Sequence, residues 1–137
     1  MSDIEDSIKE IHGVFSFFEN PMDKIEQLID YGKMAPGISE DLKIDKNKIT
    51  GCTSMAWVVC NNHDNKIAIL TDSESHIVRG LLHLLEKILN NRTRDEILNI
   101  DPTNILNNIG LGNNITSQRT NGFLSAVNKI QNQIKNI

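Results

Sequence analysis

Apolar residues recur at helical spacing from Ile4 to Phe18, with Ile4, Ile8, Ile11, Val14, Phe15 and Phe18 on one face and Asp3 placed to cap the start. The stretch NPMDKIEQLIDYG restarts the pattern. Asn20 suits the cap, Pro21 the first helical position and Asp23 the positive end of the dipole, and Gly32 can close the helix. KMAPGISEDLKIDKNK has no sustained period and contains Pro36 and Gly37, so it reads as a loop leading into a short strand near Lys48 and Ile49. Met55 to Cys60 is apolar on both alternating faces, as in a strand covered on both sides, and NNHDN then turns the chain into a second β-like run, Lys66 to Leu70. These runs predict a small antiparallel sheet of three strands. TDSESHIVRGLLHLLEKILNNRT returns to helical period, with Asp72 or Ser73 as cap and a wide stripe from Ile77 to Leu89. Thr93 and Glu96 have capping-box spacing and open a short helix toward Ile100. Asp101 and Pro102 repeat the signal for another helix, ended by Gly110 or Gly112, and a last helix starts near Thr116 or Ser117 with Phe123, Leu124, Val127, Ile130 and Ile134 on its apolar face. Helices, a small sheet and then helices make an α+β fold with segregated layers.

The chain has 137 residues, 39% of them hydrophobic, which suits one domain over residues 1–137 with a core of its own. A net charge of −4 with scattered lysines excludes the basic patch of a nucleic-acid binder. The longest apolar run is broken by Arg79, His83, Glu86 and Lys87, so no membrane span is expected. The start MSDIEDSIKE is acidic, unlike a secretory signal, and a cytoplasmic location is expected. There the two cysteines are expected as free thiols.

In KITGCTSMAW, Gly51 permits a positive φ and puts Cys52 at a loop tip, flanked by Thr53 and Ser54. A thiol does chemistry as thiolate, so it needs exposure and nearby positive charge or helix N-terminal amides. Cys52 is therefore a candidate nucleophile, although a turn cysteine is as often incidental, and the local sequence does not decide. Cys60, inside an apolar strand, reads as an inert small hydrophobe. The cysteines lack zinc spacing, and His12, His63, His76 and His83 are dispersed, so no metal site is expected; there is no GxGxxG or Walker A sequence. A cysteine hydrolase would need a histidine beside Cys52, which sequence cannot place. Arg119 falls in the first turn of the last helix, against the dipole, and serves there either an anion or only solvent and acidic neighbours.

The stretches FSFFENPMDKIEQLIDYGKMAPG, ITGCTSMAWVV, TDSESHIVRGLL, TRDEIL and LGNNITSQRTNGFLSAV, in this order, resemble the SufE family, sulfur-acceptor partners of cysteine desulfurases in iron–sulfur cluster assembly. The resemblance runs from about Ile8 to Ile130, and its most specific element is G-C-x-S-x-x-W, here Gly51, Cys52, Ser54 and Trp57. The second is the start of the last helix, here Ser117, Arg119, Thr120, Asn121 and Gly122.

The resemblance implies a small antiparallel three-stranded sheet packed with helices, as in IscU-type scaffolds. It implies a protein that takes persulfide sulfur from a pyridoxal-phosphate-dependent, SufS-like cysteine desulfurase onto Cys52, activates that enzyme, and passes the sulfur to an iron–sulfur scaffold complex. By the same resemblance Asp72 and Arg119 lie beside the acceptor loop, no cofactor of the chain's own is needed, and the chain is a carrier rather than an enzyme. Thr53 departs from the glutamine common after the acceptor cysteine, His76 from a small residue, and Cys60 is an additional thiol. A scaffold-like protein holding a cluster or metal is the alternative; the chain lacks the three-cysteine set of such scaffolds. A loop adjoining an apolar strand could also turn inward against Met55 and Trp57 to shelter a persulfide.

Overall fold

The computed structural model describes residues 3–51, 54–112 and 114–137. Cys52 and Thr53 lie outside the described residues. Helices α1 (Asp3–Ser16) and α2 (Pro21–Met34) precede two short 3₁₀ turns, Glu40–Leu42 and Asp45–Asn47. Strands β1 (Ala56–His63) and β2 (Lys66–Ser73) follow, then α3 (His76–Leu89), α4 (Arg94–Leu98), the 3₁₀ turn Pro102–Asn104, α5 (Ile105–Asn108) and α6 (Ser117–Ile134). The α+β class is as expected from the sequence.

The sheet is not. Among the described residues it has two antiparallel strands, not three, running in register from Ala56↔Ser73 to His63↔Lys66. Asp64 and Asn65 close the hairpin with φ of 52° and 66°, the paired left-handed conformation that matches the twist of the flanking strands. The expected third strand is reduced to one bridge, Lys48 to Trp57, with the Ile49 N–H donating to the Ala56 carbonyl at 2.8 Å. The reason lies on the outer edge of β1. There the Gln133 side chain accepts from the Cys60 N–H at 3.1 Å and donates to the Val58 carbonyl at 3.1 Å, taking the backbone groups a third strand would use.

The outer edge of β2 is closed in the same manner by α3 and the turn after it. Asn90 accepts from the Ile69 N–H at 2.6 Å and donates to its carbonyl at 3.2 Å, while the Ile67 N–H donates to the Arg92 carbonyl at 2.9 Å. A two-stranded hairpin is marginal alone, and here side chains from two helices finish it.

Helix α3 is the central element, burying Leu81, Leu82, Leu84, Leu85, Ile88 and Leu89. Each fully buried leucine contributes about 1.5–3 kcal/mol relative to exposure. The helix crosses α2 at two glycines: a Cβ on Gly80 would overlap the Leu28 carbonyl, and one on Gly32 the His76 carbonyl. Gly32 therefore does not end α2 as its sequence position suggested; it is buried within the helix, which runs on to Met34. Helix α6 packs Phe123, Ala126, Val127, Ile130 and Ile134, and α1 adds Ile4, Ile11 and Phe15.

Most caps follow local sequence. Asn20 accepts from the Met22 N–H at 2.9 Å, Thr93 and Glu96 form the reciprocal box, and Thr116 accepts from the Arg119 N–H at 3.2 Å. Two differ. Asp3 is the first residue of α1 rather than its cap, and α3 is capped by Ser75, which accepts from the Val78 N–H at 3.4 Å, in place of Asp72 or Ser73.

Candidate functional site

The Lys48 to Trp57 bridge brings together the chain on either side of the sequence-predicted nucleophile. Cys52 itself lies outside the described residues, so the site is built from its flanks. Gly51 is exposed with φ +88°, a conformation that disfavours any side chain, and a Cβ there would come 2.7 Å from Ser125 Oγ on α6. On the far side, the Met55 carbonyl accepts from the Glu74 N–H at 3.0 Å and from Ser73 Oγ at 2.8 Å. One flank thus rests on α6 and the other is tied to the end of β2. Ser54 is half-buried, and Met55 is exposed.

Trp57, at the base of the loop, is buried and stands opposite Asp72 in the hairpin. Asp72 is only 8% exposed and is saturated with partners. Its Oδ2 accepts from the Ile38 N–H at 3.2 Å and lies 3.4 Å from Lys43 Nζ; its Oδ1 accepts from the Ser73 N–H at 2.8 Å and lies 3.0 Å from Arg79 Nε. Arg79 continues through Nη2 to the Ala35 carbonyl at 2.9 Å. Gly37, at φ +72°, brings its backbone against the same carboxylate, where a Cβ would come within 2.7 Å of Oδ2. Lys43 also pairs with Glu40 at 2.6 Å and places its ammonium 5.1 Å from the Trp57 ring centroid. Held by two cations and two N–H groups, Asp72 joins the chain after α2, the base of the loop and the first turns of α3. It is a clamp rather than a free base.

Trp57 is covered on one face by Lys43. Arg119 contrasts with Asp72. Its side chain is half-buried, and among the described residues its guanidinium has no ion-pair partner. It stands at a cleft lined by Gln118, Gly122 and Phe123 of α6 and by Val78, Leu81 and Leu82 of α3. Ser125, against which Gly51 rests, is six residues further along α6, about 9 Å of helix rise. The loop flank and Arg119 thus share one helix, while Asp72 and the Arg119 cleft flank the first turns of α3. Lys43, Arg79 and Ser125 are the residues that sequence reasoning missed. Arg79 sits in an otherwise apolar helix start, the one hint available, whereas Lys43 and Ser125 carry no local signal.

Cys60 differs in kind. It is buried, and desolvation pushes its thiol up to about 12, so it stays protonated at neutral pH and lacks the reactive thiolate. His76 is exposed, and His83 Nδ1 lies 3.7 Å from Glu86 Oε1. Burial, then the charges of Lys87 and Arg79, lower the His83 pKa and favour its neutral form. Among the described residues no three His, Cys, Asp or Glu side chains converge to hold a metal ion, and no helix is long and apolar enough to cross a membrane.

Residues 9–134 match the family model SufE, described as an Fe-S metabolism associated domain. An uncharacterized SufE-like protein of Rhizobium etli is 33% identical over 133 residues, covering 94% of this chain and 90% of the relative. The sulfur acceptor protein CsdE of Escherichia coli is 33% identical over 102 residues, 74% of this chain and 69% of that protein. The cysteine desulfuration protein SufE of Plasmodium falciparum is 30% identical over 117 residues, 82% of this chain and 47% of that protein. In fold, the solution structure of a hypothetical protein from Thermus thermophilus matches with a TM-score of 0.77 at 17% identity, covering 95% of this chain and 94% of that one.

Proposed function

Since the chain belongs to the SufE family of Fe-S metabolism associated proteins, we propose that it is a sulfur acceptor that takes persulfide sulfur from a cysteine desulfurase onto Cys52 and passes it on for iron–sulfur cluster assembly. The observation that carries this reading is the treatment of the two thiols and their surroundings. Cys60 is buried in the sheet with its thiol held neutral, whereas Cys52 is flanked by Gly51 in a left-handed conformation and by a base clamped at Asp72, and among the described residues the Arg119 guanidinium has no ion-pair partner.

In the proposed step the Cys52 thiolate attacks the outer sulfur of the donor persulfide. A new S–S bond forms at Cys52, the donor S–S bond breaks, and its electron pair leaves on the donor cysteine as thiolate. One persulfide is consumed and one is formed, so the exchange needs no oxidant and no cofactor of this chain. A second exchange, with an acceptor thiol attacking the Cys52 persulfide, would unload it.

The remaining site residues take supporting roles in this proposal. Gly51 supplies a left-handed turn before Cys52, Ser54 follows as a half-buried hydroxyl, and Trp57 anchors the return to β1. Asp72 holds the base rigid against the loop after α2. Arg119, with no ion-pair partner of its own among the described residues, would offer positive charge to an anionic sulfur species or to the partner's surface. A pyridoxal-phosphate-dependent, SufS-like desulfurase and an iron–sulfur scaffold complex are the partners this chemistry requires, with the chain acting as carrier and activator within one domain spanning residues 1–137.

Mass spectrometry tests the reading directly. After incubation with a desulfurase and cysteine, the chain gains one sulfur atom, about 32 Da, removable by a thiol reductant. The gain disappears in Cys52→Ser and survives in Cys60→Ser. Uptake that follows Cys60 instead, or none at all with an active desulfurase, overturns it.

A further inference from the structure

The corner between α1 and α2 carries the most exposed large apolar side chain among the described residues, Phe17, at 81% exposure. Met22, in the first turn of α2, is 64% exposed, and Phe18 meets Phe17 edge-on with ring centroids 5.5 Å apart. Phe15, two residues earlier, is fully buried, so the core takes the opposite face of this turn and leaves Phe17 outside it. An apolar cluster of this kind, held in water, marks a surface that something covers.

The surrounding charge says what kind of surface covers it. Glu19, Asp23 and Glu26 are all exposed around Met22, and no ion pair engages them among the described residues. The one cation in the stretch, Lys24, is turned away: its Nζ donates to the Gly110 carbonyl at 3.4 Å. The result is an apolar knob rimmed by three uncompensated carboxylates. Such a rim attracts lysine and arginine and repels phosphate, so it disfavours nucleic acid and anionic lipid. The corner is also remote from the transfer end. Met22 lies twelve residues before Met34, about 18 Å of helix rise, and the chain just beyond Met34 is what holds Asp72.

We propose that the Phe17/Met22 corner is a docking surface for a protein partner that presents an apolar side chain flanked by lysine or arginine. The partner is held at the end of the molecule opposite the Asp72 clamp, so docking here leaves the transfer end uncovered. The proposal does not depend on sulfur transfer and is tested apart from it.

The probe is a synthetic helical peptide with leucines at i, i+3, i+4 and i+7 flanked by lysines, and a twin with glutamate at every lysine. Each is titrated into the ¹⁵N-labelled chain. The lysine peptide shifts amides of residues 15–26 and leaves residues 35–38 and 72–79 unmoved, and added salt weakens its binding. Phe17→Ser/Met22→Ser weakens it by about tenfold or more, as removal of a central apolar anchor does. Glu19→Gln/Asp23→Asn/Glu26→Gln, which leaves the apolar residues untouched, weakens it several-fold and serves independently if the first variant folds poorly. Equal binding of the glutamate twin, shifts centred elsewhere, or no binding overturns the proposal. So does sedimentation showing self-association that Phe17→Ser abolishes, which would make a second copy the occupant, or stronger binding to phosphatidylserine vesicles than to the peptide.

Discussion

Asp72 and Glu86 are both buried carboxylates, at 8% and 5% exposure, yet they are satisfied by opposite means. Asp72, at the loop end of the sheet, has two cations beside it, Lys43 and Arg79, and ties together segments distant in sequence. Glu86, on α3, has no lysine or arginine in contact among the described residues; its Oε2 accepts from the Thr71 N–H at 3.1 Å and from the Thr71 hydroxyl. Burial, outweighing those hydrogen bonds and reinforced by the charge of Asp72, pushes its carboxyl above the usual range. The comparison separates two tasks. Glu86 finishes a sheet edge, for which an acceptor is enough, whereas Asp72 joins the chain after α2, the end of β2 and the start of α3 through two amides and two cations.

The largest expected effect comes from removing the edge acceptor. Glu86→Ala strands the Thr71 amide and hydroxyl in the core and should cost about 2–4 kcal/mol in urea unfolding. Breaking the clamp costs less: Asp72→Asn loses both ion pairs and, with a single amide oxygen, keeps an acceptor for only one of the Ile38 and Ser73 amides, about 1–3 kcal/mol given the partial exposure of the cations. Its signature is local, with faster alkylation of Cys52 and unchanged protection of Cys60. Equal acceleration at both thiols would show global loosening and defeat the distinction. Gln133→Ala, which opens the edge of β1, should cost about 1–2 kcal/mol and raise Cys60 reactivity instead.

The smallest effect is in pH. Because burial raises the folded-state value of Glu86, the unfolded chain gives up this proton first. Stability from this group is greatest below the ordinary glutamate range and falls as pH rises through the raised value. Glu86→Gln, which keeps an oxygen acceptor, should flatten that fall in urea midpoints measured across pH, while Asp72→Asn should leave it largely in place.

Helix caps are legible where the capping side chain and its amide are close in sequence and no tertiary partner competes for the neighbouring cap candidates, as at Asn20, Thr93 and Thr116. The cap of α3 was misread because Asp72 and Ser73, both good cap residues, are drawn away, one to Lys43 and Arg79 and the other to the Met55 carbonyl. The third strand was misread because the edge of β1 is closed by a glutamine 73 and 75 positions away, which no periodicity reveals. Of the candidate site, the glycine-cysteine pair and Arg119 were visible as residue types in unusual local settings. Lys43, Arg79 and Ser125 became part of it only through contacts between segments far apart in the chain.

The amino-acid order by itself determined the helices, the hairpin, the family and the candidate thiol, because period, caps and motifs act over a few residues. Tertiary structure decided which carboxylate clamps and which closes a sheet edge, how many strands the sheet keeps among the described residues, and that Cys60 is buried. Those outcomes depend on desolvation and on partners brought together from distant segments, and neither exists until the chain has packed.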